Sequence, residues 1–162
     1  MKYRRLHPEE LENLRDDFVQ FLAANSVTAS DWEDIKKRQP ETAGKLIELF
    51  SDIVWEKVLG NIRYLEGRTS DELRVTHFDQ EKIRMIVIKI KDEQFDFTNP
   101  DHISKVAEGQ LDLMSFDPEI FRGSRDYQHA REMEVFAAME QGSRPCKEIF
   151  WRSILAMLPK EE

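Results

Sequence analysis

The sequence predicts an α+β fold in one domain: N-terminal helices, then a small, mostly antiparallel sheet, then C-terminal helices. Two observations support this order. Apolar residues recur at helical spacing over residues 1–66 and again over 124–158. Between them, residues 72–116 contain the alternation and the β-branched runs that are typical of strands. A chain of 162 residues with 40% apolar residues has the size and the core material of one ordinary domain.

The N-terminal part predicts three helices. Pro8 suits the first position of a helix that is capped by His7. Ser30 and Glu33 form the pattern of a capping box, which indicates the beginning of a second helix. Pro40 is expected to end that helix and to begin the third, because proline excludes helical geometry at the residue before it.

The third helix, about residues 41–66, is predicted to be central, since apolar residues fill a little over half of its circumference. Glu48, Asp52 and Glu56 lie one turn apart outside that sector. Carboxylates at this spacing either bind a divalent metal or form the solvent-exposed side of the helix. Helical metal sites of this kind also require inward Glu-x-x-His motifs, and the chain has none. We therefore interpret the row as a solvent-exposed face and expect no metal.

The middle of the chain predicts strands. "LRVTHF" and "KIRMIVIKI" flank the short loop "DQE", which indicates a hairpin. "FDF" at 95–97 is expected to form a short edge strand, and "LDLMSF" at 111–116 a fourth strand. Between them, Asn99 as a cap, Pro100 in the first turn and Gly109 as a stop predict a short helix.

The C-terminal part predicts two helices. Ser124 is the expected cap of the first, and Gly142 its expected end. The second follows in "PCKEIFWRSILAMLP", where apolar residues again recur at helical spacing.

Charge is distributed unevenly along this acidic chain. The net charge is −8, which disfavours broad nucleic-acid binding. Residues 82–91 are basic, however, and residues 92–121 are strongly acidic. Basic strands beside Phe95 and Phe97 offer a stacking platform for single-stranded RNA, but the acids between those rings oppose phosphates. Whether the basic and acidic segments pair with each other or with another molecule stays open at this point.

Histidine and cysteine indicate no catalytic or metal chemistry. The four histidines are scattered, and none has a metal-ligand spacing to another histidine or to the single Cys146. One cysteine forms no internal disulfide, so we expect a cytoplasmic protein. The N-terminus has no apolar stretch of a signal peptide, and no apolar run is long enough to cross a membrane. We expect no catalytic residue and no cofactor.

The stretch "FRGSRDYQHAR" contains the best candidate for a binding site. If a helix begins at Ser124, its first backbone amides and the neighbouring guanidinium groups favour an anion such as phosphate or carboxylate. The alternative is a capped helix whose arginines meet the acidic 92–121 segment. The candidate anion site consists of Arg122, Ser124, Arg125, Tyr127, His129 and Arg131.

Several stretches resemble an uncharacterised family of small cytosolic proteins of Bacteroidota: "FVQFLAANSVTASDW", "LFSDIVWEKVL", "YLE" and "DFT". The resemblance spans nearly the whole chain and implies a self-contained domain without assigned activity, cofactor or catalytic residues. Some relatives bear a histidyl-tRNA synthetase label, but this chain is far too short for that catalytic core and lacks its nucleotide-binding motifs.

Two classes of function remain from the sequence. The first is a non-enzymatic interaction or assembly module, either a homo-oligomer or a binder of another protein. It is favoured by three tryptophans, broadly apolar helices and segregated charge. The second is a small anionic-ligand binder or enzyme with a site near the start of the 124–141 helix. Nucleic-acid binding ranks below both, and no membrane partner is expected.

Overall fold

Four helices form the N-terminal unit, which comprises residues 1–60 of the 160 residues that the computed structural model describes. The predicted first helix is divided at Leu14, where the chain turns between two helical segments. The helices are α1 (Pro8–Asn13), α2 (Arg15–Ala24), α3 (Ala29–Arg38) and α4 (Pro40–Asn61).

The predicted helix boundaries of this unit are partly confirmed. His7 precedes α1, and its backbone N–H donates to the Glu10 carboxylate at 2.7 Å, as in a capping box. Pro40 begins α4, as predicted. The prediction of a cap at Ser30 is wrong, because Thr28 caps α3 two residues earlier, accepting a hydrogen bond from the Asp31 backbone.

Aromatic rings fill the centre of the helical unit. Phe18 of α2 lies against Trp32 of α3 and Phe50 of α4, with ring centroids 5.2 and 5.0 Å away. Phe50 is almost completely buried. The three helices therefore share one small core, in which ring contacts add to the burial of apolar area.

A five-stranded antiparallel sheet forms the centre of the second unit, from residue 61 onward. The strand order is β4-β3-β2-β1-β5, so β4 and β5 are the two edge strands. The strands are β1 (Tyr64–Arg68), β2 (Glu72–Phe78), β3 (Lys82–Lys89), β4 (Glu119–Asp126) and β5 (Arg144–Pro145), and the helices are α5 (Pro100–Ala107), α6 (Arg131–Glu140) and α7 (Glu148–Met157).

The two faces of the sheet are covered by different helices. Because side chains alternate along a strand, Leu73 and Val75 of β2 lie on one face, whereas Arg74 and Thr76 lie on the other. The first face packs against α7 and is called the α7 face. Its core is completely apolar and consists of Leu73, Val75, Ile86, Ile88, Ile90, Phe95, Phe97, Leu113, Trp151, Ile154 and Leu158. The second face lies beside α6 and is called the α6 face.

Predictions for the middle of the chain are confirmed in part. The hairpin of β2 and β3, the helix that begins after Asn99, the stop at Gly109 and the last helix are all present. The long helix ends at Asn61 and not at 66, and "YLE" is part of β1. The helical part is therefore shorter than the predicted 1–66, and the sheet part begins before 72.

The two short strands predicted from 95–97 and 111–116 do not form. Asp96 accepts a hydrogen bond from the Thr98 backbone at 2.8 Å, and Asp112 accepts one from Met114 at 3.0 Å. These local turns compete with strand pairing. Residues 113–116 form a short 3₁₀ helix, and Phe95 and Phe97 are buried in an irregular segment.

The strand β4 replaces the beginning of a predicted helix. Ser124 was the expected cap, but it lies within β4, where it pairs with Arg84 of β3. The helix α6 begins only at Arg131 and ends before Gly142, whose φ of 104° is the left-handed conformation expected at a helix stop. The 124–158 part is therefore not wholly helical.

Candidate functional site

Strand alternation divides the predicted anion site between the two faces of the sheet. Arg122 and Ser124 lie on the α7 face, since their β3 partners are Ile86 and Arg84. Arg125 lies on the α6 face, opposite Ile83. The prediction that these groups converge at one helix start is therefore wrong.

Two other predicted site residues, Tyr127 and Arg131, stabilise the fold beside β4. The Tyr127 hydroxyl donates to the Asp79 carbonyl at 2.6 Å, and burial is the main cause that raises the pKa of Tyr127. The Arg131 guanidinium donates to the carbonyls of Ile62 and Phe78. These groups tie the beginning of α6 to the ends of β1 and β2, so they are not arranged around a ligand.

A groove of about 410 Å³ runs along the α6 face. Arg125 and His129 line one part of it and Arg74 another, with Met85 and Met133 among the apolar lining residues. The site residues from the sequence that meet here are thus Arg125 and His129.

The positive charge of Arg125 in this groove is compensated by a carboxylate of the same chain. The Glu134 carboxylate accepts hydrogen bonds from the Arg125 guanidinium at 2.5 Å and from the backbone N–H groups of Gln128 and His129. The bond from Arg125 is the main cause that lowers the pKa of Glu134 to about 2. The alternative of a capped helix whose arginines meet the acidic 92–121 segment is wrong for Arg125, because Arg125 lies in β4 and its partner Glu134 belongs to α6.

A second pocket, of about 470 Å³, lies on the α7 face beside β3 and β4, and we call it the α7-face pocket. It contains Arg122 and Ser124 from the predicted set, and it adds Arg84, which the sequence analysis placed only in a basic hairpin. Its lining residues in the described part of the chain are Arg84, Met85, Ile86, Arg122, Gly123, Ser124, Trp151 and Leu155.

One row of paired residues crosses four strands at this end of the α7 face. Tyr64 of β1 pairs with His77 of β2, His77 with Arg84 of β3, and Arg84 with Ser124 of β4. All four side chains therefore point to the same face. No sequence spacing indicates this row, because it depends on the register of three strand pairs.

The aromatic members of the row form a wall beside Trp151. The rings of Tyr64 and His77 are stacked, with centroids 4.5 Å apart and planes at 15°, and Trp151 lies 5.6 Å from His77. Burial is the main cause that lowers the pKa of His77, which favours the neutral imidazole. The Nδ1 atom of His77 is buried, without a hydrogen-bond partner in the described part of the chain.

The outer edge of β4 is the longest open strand edge of the sheet. Over residues 1–160 no strand pairs with it, whereas its inner edge pairs with β3 from Glu119 to Asp126. Phe121 on this strand is 53% exposed, and Lys89 lies 5.7 Å above its ring. The edge thus combines unpaired backbone with an exposed aromatic side chain.

The carboxylate row of α4 binds the N-terminal segment of its own unit. Asp52 accepts hydrogen bonds from the Lys2 backbone N–H at 2.9 and 3.0 Å, and Glu56 binds the Lys2 ammonium at 2.7 Å. That bond is the main cause that lowers the pKa of Glu56. Glu48 pairs with Arg5 at 2.6 Å. The row is solvent-exposed as predicted, since the side chains of Glu48 and Glu56 are 36% and 40% exposed, and it also pairs with residues 2–5.

The apolar side of α4 differs from the prediction. Leu59 and the polar Ser51 are fully buried, and the Ser51 hydroxyl accepts a hydrogen bond from the Leu6 backbone at 3.0 Å. Ile53 and Val58 are apolar residues of the same helix but are about half exposed. The buried stripe of the helix therefore differs in part from the one that its apolar residues mark, although Phe50 belongs to both.

The surroundings of Cys146 disfavour a reactive thiol, and those of the basic hairpin disfavour the stacking of RNA bases. Burial is the main cause that raises the pKa of Cys146 to about 11, so its reactive thiolate is disfavoured. Phe95 and Phe97 are buried and offer no stacking platform. Lys91 pairs with Glu119 at 2.9 Å, so the basic and acidic segments meet within the chain at this position.

The described residues contain neither a group suited to a metal ion nor a helix that could span a membrane. No cluster of three or more histidine, cysteine, aspartate or glutamate residues suited to a metal occurs in residues 1–160. Within the same residues, every helix is too short or too polar to cross a bilayer.

Comparison with known proteins places the chain in a family. Residues 1–159 match the model of a family described as a family of unknown function (DUF6495), and the chain belongs to it. The predicted resemblance to an uncharacterised family is thus confirmed. No match was found among curated proteins or among solved structures.

Proposed function

We propose that this member of a family of unknown function is a protein-interaction module that assembles through the outer edge of β4. The observation that supports the proposal most strongly is the eight-residue strand Glu119–Asp126 at the end of the sheet. An edge of this length presents backbone N–H and C=O groups that are ready to pair with another strand. A cytoplasmic location is part of the proposal, supported by the single cysteine.

The opposite edge of the sheet is a much poorer template. The strand β5 has only two residues, Arg144 and Pro145, and proline has no backbone N–H to donate. Short edge strands and proline are common protections against unwanted pairing. The sheet is therefore protected on one side and open on the other, which favours a pairing with one defined partner edge.

A second copy of the chain is the partner that the β4 sequence fits best. In an antiparallel pair, directly opposite side chains share a face. When two copies of β4 pair with two-fold symmetry, the residue at the centre of the pair lies opposite the same residue of the other copy. Centring on Gly123 pairs residues 120–126 of both copies and sets Phe121 of each copy opposite Arg125 of the other. A guanidinium over an exposed aromatic ring is a favourable cation–π contact.

The neighbouring registers fit less well. Centring on Arg122 brings Glu119 opposite Arg125, but it sets two Arg122 side chains directly against each other, and like charges in that position are destabilising. Centring on Phe121 or Ser124 shortens the paired segment. Gly123 is thus the expected centre of the pair.

Light scattering after gel filtration over a range of concentrations tests this proposal. A Cβ atom added to Gly123 meets no atom within 4 Å, so the single chain accepts side chains at this position. Gly123→Lys places two ammonium groups opposite each other in the pair and is expected to give monomers. Gly123→Val is the matched control and is expected to keep the dimer, since β-branched residues suit strands.

Two results would contradict the proposal. One is a wild-type protein that stays monomeric at every concentration up to roughly 1 mM, which would mean that the dissociation constant of a dimer lies above this value. The other is a dimer that Gly123→Lys leaves unchanged, which would place the interface on another surface.

A further inference from the structure

We propose that the groove on the α6 face, which we call the α6-face groove, binds a small, uncharged aromatic amide. In this complex, Met85 and Met133 contact the aromatic ring, and Thr76 and Gln141 bind the amide edge. Three features of the groove support the inference: its charges are paired within the chain, two methionines line it, and two of its polar side chains are available for hydrogen bonds. The inference does not depend on the assembly of β4.

The register of β2 and β3 and the helical spacing of α6 bring these side chains together. Thr76 is directly opposite Met85, so the two side chains lie next to each other on the α6 face. Met133, Ala137 and Gln141 follow at intervals of four residues, which places them on one side of the helix. All five residues line the α6-face groove. The groove therefore lies between one row of the sheet and one row of the helix.

The charges at the groove favour an uncharged ligand. At one end, Arg125 pairs with Glu134 at 2.5 Å, and the Glu134 side chain is only 8% exposed. At another part of the groove, Arg74 pairs with Glu72 at 3.0 Å. The four charges sum to zero, so they offer an ion little net attraction. An ion that displaced Glu134 would also leave a largely buried carboxylate without its partner, which is costly.

The apolar lining of the groove suits an aromatic ring. The flexible thioethers of Met85 and Met133 adapt to a ring and make favourable sulfur–aromatic contacts. Ala137 and Ala138 carry only methyl groups, so the helix wall is low at its middle and leaves space for a flat molecule. The volume of about 410 Å³ lies in the range of small-molecule sites.

Two polar side chains in the same groove indicate an amide edge on the ligand. Among residues 1–160, neither the Thr76 hydroxyl nor the Gln141 amide forms a hydrogen bond with the rest of the chain. The glutamine amide presents a donor and an acceptor, and the hydroxyl is both. A carboxamide on the ligand also combines a donor with an acceptor and is uncharged. An aromatic amide therefore satisfies the polar groups, the methionines and the paired charges together.

Nuclear magnetic resonance of the full chain, labelled with ¹³C at the methionine methyl groups, tests the inference with benzamide as the probe. The methyl signals of Met85 and Met133 should move upfield, because the ring current shields methyl groups above an aromatic face. We expect the shift to saturate with a dissociation constant of about 1 mM, as suits so small a ligand. Met114 and Met157 are exposed outside the groove, and their signals should stay in place.

Two analogues separate the parts of the ligand. Benzoate keeps the ring but replaces the amide by a charged group, and it should leave the Met85 and Met133 signals almost unchanged. Cyclohexanecarboxamide keeps the amide but has no flat ring, and it should compete poorly with benzamide for the groove. If either analogue bound as tightly as benzamide, the proposed ligand class would be wrong.

Substitutions place the binding in the groove. Ala137→Leu fills the low part of the helix wall and should abolish the benzamide shifts, while leucine keeps the helix. Ala156→Leu, at an exposed alanine of α7 outside the groove, is the matched control and should bind as the wild type does. Thr76→Val should weaken binding about two- to tenfold, because one hydrogen bond is lost.

Three results would overturn the inference. The first is the absence of a saturable shift of Met85 and Met133 at benzamide concentrations up to roughly 10 mM, ten times the expected dissociation constant. The second is an equal shift of Met114 and Met157, which would indicate unspecific contact with exposed methionines. The third is unchanged binding in Ala137→Leu, which would place the ligand on another surface.

Discussion

The α7 face has a closed end, which packs against the core, and an open end, which lies beside the α7-face pocket. The same strands form both ends, but the residues at the two ends differ in chemistry. At the closed end, Leu73 of β2 pairs with Ile88 of β3, and both are almost fully buried against the core. At the open end, His77 pairs with Arg84, next to the α7-face pocket. The two ends of this face therefore have different roles: apolar pairs stabilise the sheet at one end, and a polar pair at the other end is accessible to solvent, with the Arg84 side chain 54% exposed.

The largest expected effect is at the closed end. Ile88→Ala should lower the free energy of unfolding by about 2–5 kcal/mol, because it removes buried methyl groups and leaves a cavity in the core. Urea denaturation measures this loss. Ile149→Ala, at a side chain that is 70% exposed, is the matched control and should change stability by less than about 0.5 kcal/mol. Equal losses would remove the distinction between core and surface.

The next largest effect on stability is expected at Glu134 on the α6 face, and it depends on pH. The pKa of Glu134 is about 2 in the folded protein and 4.5 ordinarily, so the ionised carboxylate stabilises the fold at pH values above 4.5. This contribution should disappear as the pH falls from about 4.5 to about 2. At pH 7, Glu134→Gln should cost about 1–3 kcal/mol, since Arg125 and two backbone amides lose a charged acceptor.

Urea denaturation between pH 2 and pH 7 distinguishes this account from a general acid effect. The difference in stability between wild type and Glu134→Gln should shrink as the pH falls through that interval. A difference that stays constant with pH would show that the Glu134 charge does not stabilise the fold.

A smaller effect of opposite sign is expected at His77, in the aromatic wall of the open end. The buried Nδ1 without a partner among residues 1–160 costs free energy, and a phenyl ring keeps the stack on Tyr64 without that cost. His77→Phe should raise the midpoint of urea unfolding and add up to about 1 kcal/mol. A loss of stability in this variant would show that the imidazole has a structural hydrogen bond.

The smallest effect on stability is expected at Arg84. Arg84→Gln should change the free energy of unfolding by less than about 0.5 kcal/mol, since exposed ion pairs contribute little. Thermal unfolding measured by circular dichroism is sufficient to check this. A large loss would mean that the open end stabilises the sheet as the closed end does, and the comparison between the two ends would fail.

Local signals in the sequence were enough to predict much of the fold. The order of helices, sheet and helices, the hairpin of β2 and β3, and the helix after Asn99 all follow from signals within a few residues. The strand β4 was missed because its arginines, serine and Gly123 resemble a helix start. Its pairing with β3, which is distant in sequence, overrides that local preference.

The candidate sites were predicted less well than the fold. Arg122 and Ser124 line one pocket, but their neighbours there differ from the predicted ones. Arg84 joins them only through the register of β3 and β4, which no local pattern contains. The carboxylates of α4 are a similar case, because their partners, among them Lys2, are distant in sequence.

Disulfide cross-linking through Gly123 is the measurement that tests assembly through β4 most directly. Opposite residues of an antiparallel pair lie about 4.5–5.5 Å apart, within the range of a disulfide. In a Cys146→Ser background, Gly123→Cys should give a covalent dimer on mild oxidation. Arg122→Cys, one residue away and on the other face, should stay monomeric. A dimer from Arg122→Cys alone, or from neither variant, would contradict the proposed pairing.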